Sequence, residues 1–104
     1  MCRYKILHHN EDGYAVKCNE CGHIKVCYKT VVLTLDEEMF YAFRDAVEHN
    51  YESHRDRICP HQRRIHIGTA DPSVSMVFCL ADLERLIQML DEAHISLEIE
   101  KLIS

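Results

Sequence analysis

The sequence has few glycines and prolines and no long run of apolar residues. Its 104 residues include 3 Gly and 2 Pro, so long flexible linkers and disordered tails are not expected. The glycines are isolated from one another, which argues against a glycine-rich phosphate-binding loop. No apolar run approaches the ~18 residues that a membrane-spanning helix needs, and residues 1–10 lack the apolar core of a secretory signal. These absences predict a small cytoplasmic protein without a membrane partner.

Positive charge is scarce as well. The chain carries 17 acidic and 12 basic residues, for a net charge of −5, which makes nucleic-acid binding an unlikely general property. One basic cluster interrupts this pattern, because residues 55–64 contain Arg55, Arg57, Arg63 and Arg64. This connector supports an alternative hypothesis of nucleic-acid or phosphate binding, although a solvated loop is the more common reason for such a cluster.

Apolar residues recur with the periods of strands and helices. Alternation predicts strands at residues 4–9, 14–18, 24–28 and 31–35, with the last two either separate or one long bent strand. The turn at residues 10–13 predicts a hairpin in which Asn10 faces Tyr14, and this register places Cys18 opposite Ile6. A capping box at residues 34–37 precedes a helix that fades at residues 50–54.

The second half of the chain again predicts strands followed by a helix. Residues 64–68 and 74–80 predict a second hairpin around Asp71 and Pro72, and residues 82–104 predict a helix or, alternatively, a terminal strand. The predicted fold is a single α+β domain over residues 1–104, in the order ββββαββα. We expect one antiparallel sheet of about five to six strands with both helices on one face.

The cysteines give the strongest functional signal. Cys18 and Cys21 are spaced so that one tight turn brings two thiolates to a zinc ion at ~2.3 Å, and Gly22 permits the turn. Strands flank the pair, whereas a redox pair of the thioredoxin type precedes a helix, so metal binding is preferred. Two reduced surface thiols and a thiol-dependent redox protein remain as alternatives.

A zinc site needs four ligands, and this pair supplies two. Cys2, His23, Cys59 and His61 are the candidates for the other two places. The predicted hairpin register ranks Cys2 first, with Cys59 and His61 next. Sequence motifs of catalytic zinc sites are absent, so a structural Zn²⁺ in an interaction or adaptor module is expected rather than an enzyme.

The C-terminal segment suggests a partner. A helix over residues 82–104 would be ~34 Å long and would span a domain of this size. Ile99, Leu102 and Ile103 at its end are then available to contact an unknown protein partner or a second copy of the chain. Packing on the chain's own core is the equally good alternative.

Several segments resemble a family of small bacterial proteins of unassigned function. They are NEDGY at residues 10–14, KCNECGHI at 17–24, VVLTL at 31–35 and VSMVF at 74–78, together with the terminal helix. The resemblance implies a bacterial, cytosolic, single-domain protein and brings no activity or functional residues. The Cys18 and Cys21 turn also resembles one knuckle of a zinc ribbon, whose second Cys-x-x-Cys pair this chain lacks.

Overall fold

The structure is a computed structural model that describes residues 3–56, 59–62, 65–69 and 71–103. These residues confirm the α+β fold and the predicted order ββββαββα. The strands form two antiparallel sheets instead of one, a four-stranded sheet in the order β1-β2-β3-β4 and a two-stranded sheet of β5 and β6. The elements are β1 (Tyr4–Asn10), β2 (Gly13–Cys18), β3 (Ile24–Tyr28), β4 (Val31–Leu35), α1 (Glu37–His54), β5 (Ile65–Gly68), β6 (Ser75–Phe78) and α2 (Leu80–Ile103).

The chain divides into two compact units. The first contains residues 1–42 and 88–104, with the four-stranded sheet, and the second contains residues 43–87, with the β5–β6 hairpin. The division of the strands follows from the connections, since short turns join β1 to β4 in sequence whereas α1 separates them from β5. That both units belong to a single domain stays a prediction.

The first hairpin has a different register from the predicted one. Asn10 pairs with Gly13 and not with Tyr14, because the Asn10 Oδ1 atom accepts the backbone N–H groups of Asp12 (2.8 Å) and Gly13 (3.1 Å) and closes a tighter turn. A bulge between Ile6 and His8 shifts the strands again, so Cys18 lies opposite Tyr4. The prediction that Cys18 faces Ile6 is therefore wrong.

The two faces of the four-stranded sheet differ in burial. Ala15 and Val26 pair on the buried face, where the Ser96 hydroxyl of α2 donates to the Leu7 carbonyl at 2.8 Å. The opposite face includes Ile6, which is 67% exposed, and Val32, which is 51% exposed. Helix α2 thus packs on one face of the sheet, and the described residues leave parts of the other face accessible to solvent.

Both helices begin at side-chain caps. The Asp36 Oδ1 atom accepts the N–H of Met39 at 2.7 Å, so Asp36 caps α1 while the predicted capping residue, Thr34, belongs to β4. Helix α2 is continuous over 24 residues, which rules out the terminal-strand alternative. Separate strands β3 and β4, joined at Lys29 with a φ of 55°, rule out the single bent strand.

A polar cluster joins the start of α1 to the end of α2 inside the first unit. Lys101 forms an ion pair with Glu37, and the Tyr41 hydroxyl donates to Glu98 at 3.1 Å. The bond to Glu37 raises the pKa of Lys101 to about 12, and the same bond lowers the pKa of the Glu37 carboxyl. These contacts fix the C-terminal turns of α2 beside the beginning of α1.

Candidate metal centre

Residues 18–23, here called the knuckle, connect the end of β2 to the start of β3. The Cys18 N–H donates to the His23 carbonyl at 2.8 Å, and the Gly22 N–H donates to the Cys18 carbonyl at 3.0 Å. Gly22 has a φ of 78°, a left-handed conformation that a side chain would disfavour. The sequence therefore forms a closed turn with one cysteine at its start and the other within it.

Two pairwise contacts involve side chains of metal-binding type in the knuckle. The Cys21 N–H donates to the Cys18 Sγ atom at 3.4 Å, and the His23 Nδ1 atom lies 3.2 Å from the Cys21 Sγ atom. Neither cysteine forms a disulfide, and Cys18 is fully buried while Cys21 and His23 are exposed.

The other predicted ligands are distributed differently. Cys2 lies outside the described residues, but the carbonyl of its neighbour Arg3 accepts the Asn19 N–H of the knuckle at 2.8 Å. Cys59 and His61 are exposed in a short turn of the second unit, where the Gln62 N–H donates to the Cys59 carbonyl at 3.1 Å. The structure thus places Cys18, Cys21 and His23 on one turn of the first unit, with the Cys21 and His23 side chains in contact, and places Cys59 and His61 in the second unit.

The described part of the chain contains no complete metal site. Across residues 3–56, 59–62, 65–69 and 71–103, no three His, Cys, Asp or Glu side chains converge in a way that could hold a metal ion.

Cys79 takes part in a turn that the sequence analysis missed. Its Sγ atom accepts the Asp82 N–H at 3.4 Å, and its own N–H donates to the Asp82 Oδ2 atom at 3.4 Å. This reciprocal pair caps the start of α2, and both side chains are buried. The signal was present in the spacing of Cys79 and Asp82 before a long apolar helix, but a sulfur is an uncommon capping atom.

The basic connector is described only in part. Arg55 contacts two carboxylates of its own segment, Glu52 at 3.4 Å and Asp56 at 3.9 Å, while Arg57, Arg63 and Arg64 lie outside the described residues. The phosphate-binding hypothesis thus gains no support from Arg55, because neighbouring acids already compete for its guanidinium.

The C-terminal half of α2 presents apolar side chains on two opposite faces. Leu97 is fully buried, whereas Ile95 and Ile99, roughly 160° around the helix from it, are 52% and 53% exposed. Leu102 continues this outer row and is 85% exposed. We call Ile95, Ile99 and Leu102 the outer stripe of α2.

Comparison with known families assigns the chain. A model described as a family of unknown function, DUF6686, matches residues 1–103. The chain belongs to this family. Membership in DUF6686 confirms the resemblance to proteins without an assigned function and brings no activity or ligand. No curated protein and no solved structure matches the chain. Among the described helices, none combines the length and apolar character needed to cross a membrane.

Proposed function

We propose that this DUF6686 protein is a small interaction module whose fold is stabilised by one Zn²⁺ ion bound at the knuckle. The observation that carries the proposal is the approach of the His23 Nδ1 atom to within 3.2 Å of the Cys21 Sγ atom, in a turn whose other sulfur accepts the Cys21 N–H. Thiolate sulfur and imidazole nitrogen are the ligands that zinc prefers in structural sites.

Cys18, Cys21 and His23 are the first three ligands in this proposal. Metal binding in this proposal requires the Cys21 and His23 side chains to change rotamer, and both are exposed, as such a change requires. Cys2 is the preferred fourth ligand because its neighbour Arg3 is hydrogen-bonded to the knuckle. Cys59 and His61 are the remaining candidates, and both belong to the second unit.

A zinc ion held this way has a structural role. Four protein ligands leave no open position for water or substrate, so the metal would stabilise the turn and the ends of β2 and β3 instead of performing chemistry. The backbone bonds already formed in the knuckle mean that little order has to be imposed when the metal binds.

Elemental analysis of protein purified without added metal, combined with native mass spectrometry, tests this proposal. We expect one zinc per chain, and we expect Cys18→Ser and Cys21→Ser to lose it. Cys79→Ser is the matched control, because Cys79 also receives an N–H at its sulfur but belongs to a helix cap. Cys2→Ser, His23→Ala and Cys59→Ser then identify the remaining ligands. A metal-free protein in which all six thiols titrate would refute the site.

Alkylation rates separate the zinc site from a redox pair. A structural site predicts that zinc protects Cys21 from iodoacetamide, while the half-buried Cys27, which is not a candidate ligand, reacts equally with and without metal. A redox pair would instead show a Cys21 that reacts much faster than Cys59 and does not respond to zinc. This result would replace the structural proposal with a thiol-dependent function.

The interaction surface of the module is, in this proposal, the outer stripe of α2. The stripe continues a row of residues along the helix whose spacing alternates between four and three, the spacing by which one helix packs against another. The members of this row are Gln88, Glu92, Ile95, Ile99 and Leu102. Glu92 lies in this row and Glu98 beside it, both exposed, with Lys101 at 3.8 Å from Glu98 as the nearby cation. The favoured occupant is an amphipathic helix of a partner protein with basic residues beside its apolar face. A second copy would bring these acids close to one another.

A synthetic helical peptide with leucine on one face and lysine on the other probes this surface. We expect the chain to bind the peptide, and we expect the double variant Ile99→Asn with Leu102→Asn to lose binding. Ile6→Asn, a change at another exposed isoleucine, in β1, should have no effect. Equal binding by all three proteins would mean that general charge attraction, not the stripe, holds the peptide.

A further inference from the structure

The two edges of the four-stranded sheet are built differently. Strand β1 contains Lys5 and a bulge between Ile6 and His8, two devices by which proteins prevent edge strands from pairing with other chains. Strand β4 has neither device. Its five residues, VVLTL, carry no charge, and it stays in unbroken register with β3 from Val31 to Leu35.

Strand β4 is also accessible. In the sheet order of the described strands β4 is an outer strand that pairs with β3, and Val31 and Val32 are 36% and 51% exposed. Because alternate residues of an antiparallel strand direct their N–H and C=O groups away from the existing partner, an outer strand of this kind is a template for another strand.

We propose that β4 pairs antiparallel with β4 of a second copy of this chain, which joins two four-stranded sheets into one sheet of eight strands. With the two-fold axis at Leu33, Val32 lies opposite Thr34 of the second copy and Val31 lies opposite Leu35. Uncharged residues then meet only uncharged residues along the whole strand.

The charges that flank β4 select this arrangement. Lys29 lies in the turn before the strand, and Asp36 and Glu37 follow it at the start of α1. Antiparallel pairing brings Lys29 of each copy to the acidic end of the other. Asp36 caps α1 there and Glu37 is already paired with Lys101, so each end adds a weak attraction between opposite charges. Parallel pairing would place lysine beside lysine and acid beside acid, which is unfavourable.

The same reasoning limits the assembly to a dimer. A two-fold contact uses the same surface on both copies and closes on itself, whereas a β4-to-β1 contact would continue into a fibre. The bulge and Lys5 oppose the second arrangement, since they protect the β1 edge. This inference rests on the sheet alone and is independent of zinc at the knuckle and of the outer stripe of α2.

Sedimentation of the reduced full chain over the micromolar range tests the proposal. We expect a monomer–dimer equilibrium that persists in chelator. Val32→Lys places a charge in the centre of the contact and should yield a monomer with an unchanged circular dichroism spectrum. Ile6→Lys, the same kind of change at an exposed residue of the protected edge, should leave the dimer intact, and Lys29→Glu should weaken it by about threefold to tenfold.

Hydrogen exchange of the unmodified protein provides a test that does not depend on variants. The backbone amides of alternate β4 residues, those directed away from β3, should become more protected as the dimer forms, since they gain partners. A chain that stays monomeric at high concentration overturns the proposal. A dimer that survives Val32→Lys, or that protects residues 95–103 instead of residues 31–35, overturns it too.

Discussion

The chain uses one local contact twice, with different outcomes. In the knuckle the Cys21 N–H donates to the Cys18 Sγ atom at 3.4 Å, and before α2 the Asp82 N–H donates to the Cys79 Sγ atom at the same 3.4 Å. Both are contacts between a sulfur and the backbone three residues later. A sulfur that accepts an N–H is therefore not in itself evidence for a metal site.

The residue that supplies the N–H decides which kind of turn forms. Asp82 returns a carboxylate oxygen to the Cys79 N–H, is 3% exposed, and leads directly into a helix. Cys21 directs a second sulfur outwards beside His23, and Gly22 then reverses the chain into a strand. The first turn satisfies its own donors and acceptors, whereas the second leaves a thiol and an imidazole exposed at neighbouring positions.

The largest expected effect is a difference between Cys18 and Cys79 variants in how much zinc raises the free energy of unfolding. In chelator, Cys18→Ala and Cys79→Ala should each lower the free energy of unfolding by about 1–2 kcal/mol, because each leaves a backbone N–H without its acceptor. Free zinc at a thousand times its Kd should add about 4 kcal/mol to the wild type and to Cys79→Ala, but nothing to Cys18→Ala. Urea unfolding with and without zinc measures both. An equal zinc response in the two variants would show that the knuckle does not bind the metal.

A smaller effect is expected at the two residues whose backbone N–H donates to the sulfur, Asp82 and Cys21. Asp82→Ala removes the carboxylate that accepts the Cys79 N–H and should lower the free energy of unfolding by about 1–3 kcal/mol. Cys21→Ala at the corresponding place should change it by less than about 0.5 kcal/mol in chelator, since the Cys21 side chain is exposed. Urea unfolding in chelator gives both values. A large loss for Cys21→Ala without metal would mean that the knuckle is held by its own side chains and needs no ion.

The sequence predicted the elements well because their periodicity is strong. Six strands, two helices and their order follow from the spacing of apolar residues such as Val26, Val47 and Leu97, each of which is buried. The register of the first hairpin did not follow, because it depends on the Asn10 side chain and on a bulge, and neither changes the apolar pattern enough to be recognised.

The candidate site was predictable only as far as local spacing reaches. Cys18 and Cys21 lie on one turn because only two residues separate them, and His23 lies on the same turn because a single residue separates it from Cys21. Ligands distant in the sequence require knowledge of the tertiary fold. The observed register, shifted by two residues from the predicted one, places Tyr4 opposite Cys18. Arg3 therefore lies beside the knuckle, and its carbonyl accepts the Asn19 N–H.

The smallest expected effect concerns Gly22, the feature that directs the knuckle into a strand. Gly22→Ala should lower the free energy of unfolding by about 1 kcal/mol, because the φ of 78° is unfavourable for alanine although the space around the residue is open. Gly68→Ala is the control, since Gly68 is equally open and has no positive φ, so it should be nearly neutral. If zinc binds at the knuckle, the Gly22 variant should also bind it more weakly, because the strained turn no longer presents Cys21 and His23 in the same way. Calorimetric titration with zinc measures that affinity, and an unchanged affinity together with reduced stability would show that the turn serves the sheet and not the ligands.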